Sequence, residues 1–369
     1  MLQILLPLIG ALLLISACQS TAPRKAASAD ATKDPRMEGL DPEQVQKLHD
    51  LFKGVMTSRH GSTTSPKKYL GSEKVQRAVF LKTQGCARGT FEVAENLDSS
   101  LSVGLFESAS KRPAYMRISS DTTPDTPDQK NGTVGISIKV LDVPGKKVLL
   151  GEEDNMTQDF LLQNHPVFFV NNFADFLFLF TDPVQISQQP NGTELLAHYQ
   201  KILDVDMVKE VKDVLATSYW STTPYKFGEN LIAKYKVVPC SMGSKTPSQE
   251  PNYLATSLKK DLEKKGACFE FQVQTRPNDL TGQALLEKAT EPWDEKTFKP
   301  HTVGRLHFPA QNIDIHAQKC EDMAFTVWHS LPAHQPLGSI NKGRGLIYKI
   351  LSDYRRHERN GYPILEPTN

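Results

Sequence analysis

The feature that most restricts what this chain can fold into is a change of period. Val45, Leu48, Leu51 and Phe52 recur at helical spacing behind Asp41-Pro42, and this predicts a helix over 41–56. An N-cap residue followed by proline at the first helical position is a helix-start signal. From residue 90 to 140 the spacing shortens to β-prone runs divided by turn residues, at 91–93, 101–106, 114–118 and 134–140. Residues 160–170, 231–238, 269–274 and 303–308 read as further strands. Residues 195–215, 253–264 and 342–357 read as helices, the last with Leu346, Ile347, Ile350 and Leu351 on one apolar face. Strands early and helices later predict an α+β fold with an antiparallel sheet, for which a closed barrel is one solution.

The N-terminal end sets the expected compartment. Residues 4–15 are almost wholly apolar, too short for a hydrocarbon core that needs roughly 20 residues, so they read as the core of a signal peptide. Ile15-Ser16-Ala17-Cys18 follows and looks like a bacterial lipobox, which predicts removal of 1–17 and acylation of Cys18. The leading Met1-Leu2-Gln3 lacks the usual Lys or Arg, and an ordinary cleaved signal with a chance cysteine is the alternative. Gln19, where an Asp would signal retention, favours the periplasmic face of the outer membrane. Residues 18–37 are Ala, Ser, Thr and charge without an apolar face, a composition that cannot fold and suits a tether. No second such linker follows, so 38–369 is expected to be one domain. Charge is balanced, 43 basic against 42 acidic residues, which argues against nucleic acid as a partner. Without Cys18 four cysteines remain, Cys86, Cys240, Cys268 and Cys320, at no zinc spacing. Cys240 and Cys268 flank the helix between two strands, where a disulfide or two free thiols are both open readings.

Four stretches in order resemble haem catalases, particularly the short catalase-like proteins of bacteria. They are Arg77-Ala78-Val79-Phe80-Leu81-Lys82-Thr83-Gln84-Gly85 leading into Phe91-Glu92-Val93, then Arg117-Ile118-Ser119, then Asn164-His165-Pro166-Val167-Phe168-Phe169, and finally Gly343-Arg344-Gly345-Leu346-Ile347-Tyr348. Tyr219-Trp220-Ser221 and 336–341 also look like the short branch. The resemblance implies a catalase-like antiparallel β-barrel with peripheral and C-terminal helices, binding haem, most simply haem b. It implies Tyr348 as the iron ligand with Arg344 beside it, Arg117 on a haem propionate, Phe169 flanking the porphyrin and Asn164 facing bound peroxide. The proximal pair also has its own logic. A phenol of pKa near 10 must lose its proton to ligate ferric iron, and a cation one helical turn away favours the phenolate. Tyrosinate is the known axial ligand of catalase iron.

One departure bears on function. Phe80 stands where the resemblance calls for the catalytic histidine, and phenylalanine cannot move a proton between peroxide oxygens. Gln84 can hydrogen-bond but not titrate, Ile350 replaces an Asp common in full-length catalases, and His60 lies in a polar stretch nearby. His165, His301, His307, His316, His329 and His334 share no metal-ligand spacing. Two readings follow. The chain is either a haem-dependent enzyme of the cell envelope acting on hydrogen peroxide or organic hydroperoxides, or a non-catalytic haem-binding or haem-sensing lipoprotein anchored through Cys18. The oligomeric state is left open.

Overall fold

The computed structural model describes residues 34–69, 72–130, 132–181, 192–206, 210–241, 243 and 249–362. Cys18, the apolar run before it and most of the tether lie outside these residues. Helix α1 (Pro42–His60) starts where the sequence places it, with the Asp41 carboxylate accepting from the Glu43 N–H at 2.9 Å. Among the described residues nine strands follow: β1 (Lys82–Val93), β2 (Ser110–Ser120), β3 (Val134–Leu141), β4 (Thr157–Gln163), β5 (Tyr219–Trp220), β6 (Tyr225–Phe227), β7 (Leu231–Pro239), β8 (Ala267–Pro277) and β9 (His301–Phe308). Every pairing is antiparallel. The order β5-β4-β3-β2-β1-β9-β8-β7 returns on itself because β5 also pairs with β7, so eight strands close into a barrel and β6 extends β7. Helices α2 (Phe173–Thr181), α3 (Gly192–Lys201), α4 (Tyr253–Lys264), α5 (Asp314–Asp322) and α6 (Ser339–Ser352) lie outside it. The fold is the expected α+β antiparallel barrel.

Strand alternation divides the residues between two environments. Met116, Ile118, Ile136, Ile138, Phe160 and Leu162 join the barrel core. There Phe160 meets Phe271 at 4.7 Å and Phe91 meets Phe271 at 5.2 Å, edge-to-face contacts worth about 0.5–1.5 kcal/mol each beyond burial. Arg117, Ser119, Gly135, Ser137, Lys139, Asp159, Leu161 and Gln163 alternate with them and point outward.

Several elements depart from the expected ones. Residues 101–106 form no strand but a turn ending in a single 3-10 turn, Gly104–Phe106, whose Phe106 plugs the barrel against Phe271 and Phe227 at 5.9 and 6.0 Å. Their apolar character serves packing rather than pairing. The strand expected over 160–170 stops at Gln163, just before His165-Pro166. The helix expected over 195–215 is described only to Lys201, with a wider turn at Ile202–Asp206. The last helix ends at Ser352 and continues as a wider turn, Asp353–Arg359. Cys240 and Cys268 are bridged, with Cα atoms 5.4 Å apart, and so are Cys86 and Cys320 at 6.3 Å.

Candidate functional site

A cavity of about 150 Å³ lies on the outer face of β2, β3 and β4. Register builds its floor: Arg117 sits beside Ser137 and Ser137 beside Leu161, while Ser119 sits beside Gly135 and Gly135 beside Gln163. Helix α6 supplies Arg344, Gly345, Tyr348 and Lys349 to the cavity, and residues 323–326 and 77–80 complete it.

On α6, Arg344 and Tyr348 are separated by one helical turn, which puts them on one face. The guanidinium carbon is 5.8 Å from the Tyr348 ring centre. Its Nη1 donates to Thr223 Oγ1 at 3.0 Å and Asn341 Oδ1 at 3.1 Å. The Asn341 amide is itself fixed by the Pro224 and Leu337 carbonyls, both at 2.9 Å. Burial works against the charge on Arg344, but the hydroxyls of Tyr348 and Tyr225 outweigh it and raise its pKa. The helix approaches closely because of Gly345, where a Cβ would stand 2.4 Å from Trp328 Nε1.

At another side of the cavity three arginines gather around Glu321. Arg77 Nε meets the Glu321 carboxylate at 3.2 Å and its Nη1 donates to Ser119 Oγ at 3.1 Å. Arg355 donates to the Glu321 carbonyl and, at 3.0 Å, to the Met323 carbonyl. Arg117 donates from Nη1 to the Cys320 carbonyl at 3.1 Å and packs on the Phe325 ring at 4.2 Å. Its buried Nε has no hydrogen-bond partner among the described residues. Burial, and then Arg77 beside it, push the Arg117 pKa well down. A guanidinium keeps its charge in proteins, so this corner favours an added anion. Glu321 stays below the usual carboxylate range because Arg77, Arg117 and Arg355 more than offset its burial.

A buried ion network closes a further end. Lys139 donates to both oxygens of Asp159 at 2.8 Å, His329 meets Asp159 at 3.0 Å and Glu152 at 2.9 Å, and Glu152 reaches Lys349 at 3.6 Å. Burial and Lys139 pull the His329 pKa down, yet the two carboxylates raise it above its ordinary value. Burial would raise the Glu152 pKa, but His329 and Lys349 push it down to about 2.

The strand side of the cavity is apolar. Phe80 lines it with Val79, Leu161, Leu162 and Phe168. Its backbone holds φ +52°, a left-handed conformation that a bulky residue adopts only when its surroundings impose it. The ring lies on Gly135, where a Cβ would come within 2.8 Å of it.

Phe80, Arg117, Arg344 and Tyr348 therefore meet at one cavity, while Asn164 and Phe169 are placed beside it. The Asn164 side-chain oxygen accepts from the Val134 N–H at 3.0 Å. Gln163 lines the cavity instead, its amide donating to the Val167 carbonyl at 3.1 Å. Phe169 packs on Phe176 at 5.9 Å, and its neighbour Phe168 faces the cavity. Gln84 is spent on Ser120 and Asp128 at 3.0 and 3.2 Å. His60 sits at the end of α1 against the Tyr69 ring at 5.1 Å, where burial and then Arg59 lower its pKa to about 4. It does not line the cavity. Arg355, Gln163 and Glu152 were not picked out by sequence reasoning, while Arg77 and Phe168 entered only as parts of motifs and His329 only as a histidine without metal-ligand spacing. Two of them carried a usable signal: Gln163 is two residues past Leu161 on the outward strand face, and Arg355 is seven residues, two helical turns, past Tyr348.

No protein-family model and no curated protein matches the chain. Solved structures do match its fold. A fungal catalase aligns with a TM-score of 0.61 and 17% identity over 76% of this chain and 59% of its own. Catalase A from Saccharomyces cerevisiae aligns at 0.61 and 16% identity over 80% of this chain and 65% of its own. The chain thus spans about three-fifths to two-thirds of these catalases, and at such identity the likeness establishes a catalase-like fold.

Proposed function

We propose that the cavity binds haem with Tyr348 as the iron ligand, and that the protein acts on peroxides of the cell envelope. The observation that carries this reading is the half-buried Arg344–Tyr348 pair facing the same cavity as the unpartnered Nε of Arg117. A phenolate donor and a guanidinium cluster at separate sides of one cavity fit a planar metal macrocycle that carries carboxylates. Arg344 would sit against the ligating Tyr348, and Arg77, Arg117 and Arg355 would bind the carboxylates in charge-assisted forks. The bound group, taken as haem b, would supply ferric iron as the redox centre. Phe80, Leu161 and Phe168 exclude water from the strand side, and Gln163 can orient an oxygen without taking its proton. Losing a positioned acid-base group costs about 100-fold to 10,000-fold in rate. Hydrogen peroxide dismutation should be slow for that reason, and an organic hydroperoxide with an apolar body suits the lining better. Non-catalytic haem binding or sensing is the second reading, favoured by the same Phe80. We further propose that Cys18 anchors the domain to the outer membrane.

Titrating purified protein with haemin while recording absorbance, oxygen release and hydroperoxide consumption tests the reading. We expect a high-spin ferric tyrosinate spectrum, faster consumption of organic hydroperoxide than of hydrogen peroxide, and little oxygen release. Binding without any peroxide consumption selects the second reading, and no saturable haemin binding overturns both.

A further inference from the structure

We infer that the Cys86–Cys320 disulfide is the positioning element of the arginine cluster, so that the cavity holds a dicarboxylate tightly only while this disulfide is formed. The inference rests on the haem reading for its ligand. Cys86 lies on β1 in register with Arg117 on β2, and Cys320 lies in the last turn of α5. Both are buried in an apolar cluster with Tyr115, Leu141, Met323 and Phe325.

Cys320 and the residues that follow it accept from every cavity arginine of this side. The Cys320 carbonyl accepts from Arg117, the Glu321 carboxylate from Arg77, and the Glu321 and Met323 carbonyls from Arg355. Three of these four acceptors are backbone oxygens, so the arginines depend on where the segment runs rather than on its side chains. Residues 323–326 then line the cavity themselves. Within 320–326 the disulfide is the covalent tie to the barrel, across a sequence separation of 234 residues. The other bridge, Cys240–Cys268, joins the end of β7 to the start of β8, and neither half-cystine lines the cavity. Reduction by a dithiol such as dithiothreitol would pass two electrons and two protons to the Cys86–Cys320 sulfurs, giving two thiols and the oxidised cyclic reagent. The segment would then be held by hydrogen bonds alone.

The test compares haemin with haemin dimethyl ester, which keeps the ring and iron but masks both carboxylates. A Cys86→Ser/Cys320→Ser variant should bind haemin about tenfold more weakly, the lower end of what one hydrogen bond to a charged group contributes, and bind the ester as the parent does. Amide hydrogen exchange should quicken over 320–326. Cys240→Ser/Cys268→Ser should change none of these. If the serine pair melts below the working temperature, Cys86→Val/Cys320→Ala refills the apolar cluster and gives the same comparison. Unchanged haemin affinity, equal weakening for haemin and ester, or unchanged exchange at 320–326 would each overturn the inference. A parent protein that binds neither porphyrin overturns the haem reading instead, and exchange over 320–326 still decides whether the disulfide holds the arginine segment.

Discussion

The helix wall and the strand wall of the cavity are built on opposite principles. On the helix wall the cation is held from several sides: Arg344 has Thr223, Asn341 and Tyr348, and Asn341 has two carbonyls of its own. On the strand wall Phe80 sits in a left-handed backbone with its ring on a glycine, and no titratable side chain stands at that position. A wall that carries the phenol and a wall with no proton shuttle at position 80 match the proposed haem reading, in which the group is held but protons are not moved. The contrast separates holding a group from turning over substrate, and substitutions on each wall should divide along that line.

The largest effect is expected on the helix wall. Tyr348→Phe removes the only atom proposed to bond iron, so the tyrosinate spectrum should vanish altogether. The absorbance spectrum of the haemin-treated variant checks this, and an unchanged spectrum would place the ligand elsewhere.

The next effect belongs to the strand wall. Phe80→His should raise hydrogen peroxide dismutation by about 100-fold or more, the usual contribution of a positioned acid-base group. Imidazole is smaller than phenyl, so Gly135 leaves it room, although a newly buried polar ring needs a partner. Oxygen evolution measures the gain. A parent already as fast as its histidine variant would mean that another residue moves the proton, and the two walls would no longer differ in kind.

The sequence made the helix wall more legible than the strand wall, for a physical reason. Arg344 and Tyr348 share a local spacing, and helical geometry alone puts them together. Phe80, Arg117 and Gln163 meet only through barrel register, in which Ser119 aligns with Gly135 and Gly135 with Gln163 across three strands. Register over such separations leaves no local trace. The one-residue difference between Asn164 and Gln163 likewise turns on which side of β4 each faces as the strand ends. The barrel itself was readable as antiparallel and α+β from short β-prone runs such as 134–140 early in the chain and helices later. Its closure depends on the two-residue β5, which is too short to announce itself. The Cys86–Cys320 bridge had no cue, since its halves lie on a strand and a helix far apart in the chain.

The two walls are also joined, and pH should test the joint. Lys349 on α6 is linked through Glu152 and His329 to Asp159 and Lys139 on β4 and β3. Glu152 titrates at about 2 in the folded protein against 4.5 ordinarily. Its contribution, on the order of 3 kcal/mol, is therefore fully present above pH 4.5 and lost as pH falls towards 2. His329 is shifted upward, so its contribution is full below about 6.5 and lost as pH rises through the folded value. Thermal melts across pH should show Glu152→Gln flattening the acid limb and His329→Gln flattening the alkaline one. Limbs that persist in both variants would remove this network from the account.

The smallest effect is the sharpest on assignment, because it separates two neighbours at the end of β4. Asn164 accepts from the Val134 N–H where β3 begins, and its own N–H returns to the Val134 carbonyl at 3.0 Å. Asn164→Ala leaves a buried donor unpaired, which costs about 1–3 kcal/mol and should lower the melting temperature without altering the haem spectrum. Gln163 faces the cavity and gives one amide hydrogen bond to a loop carbonyl. Gln163→Leu should leave the melt nearly unchanged and instead shift the affinity of the haemin-loaded protein for cyanide by a few-fold, about the value of a single hydrogen bond. Melting curves and cyanide titrations on both variants decide between them. The reverse pattern, with Asn164→Ala moving cyanide affinity and Gln163→Leu lowering the melt, would return Asn164 to the ligand side and make the strand wall closer to a working catalase than its geometry indicates.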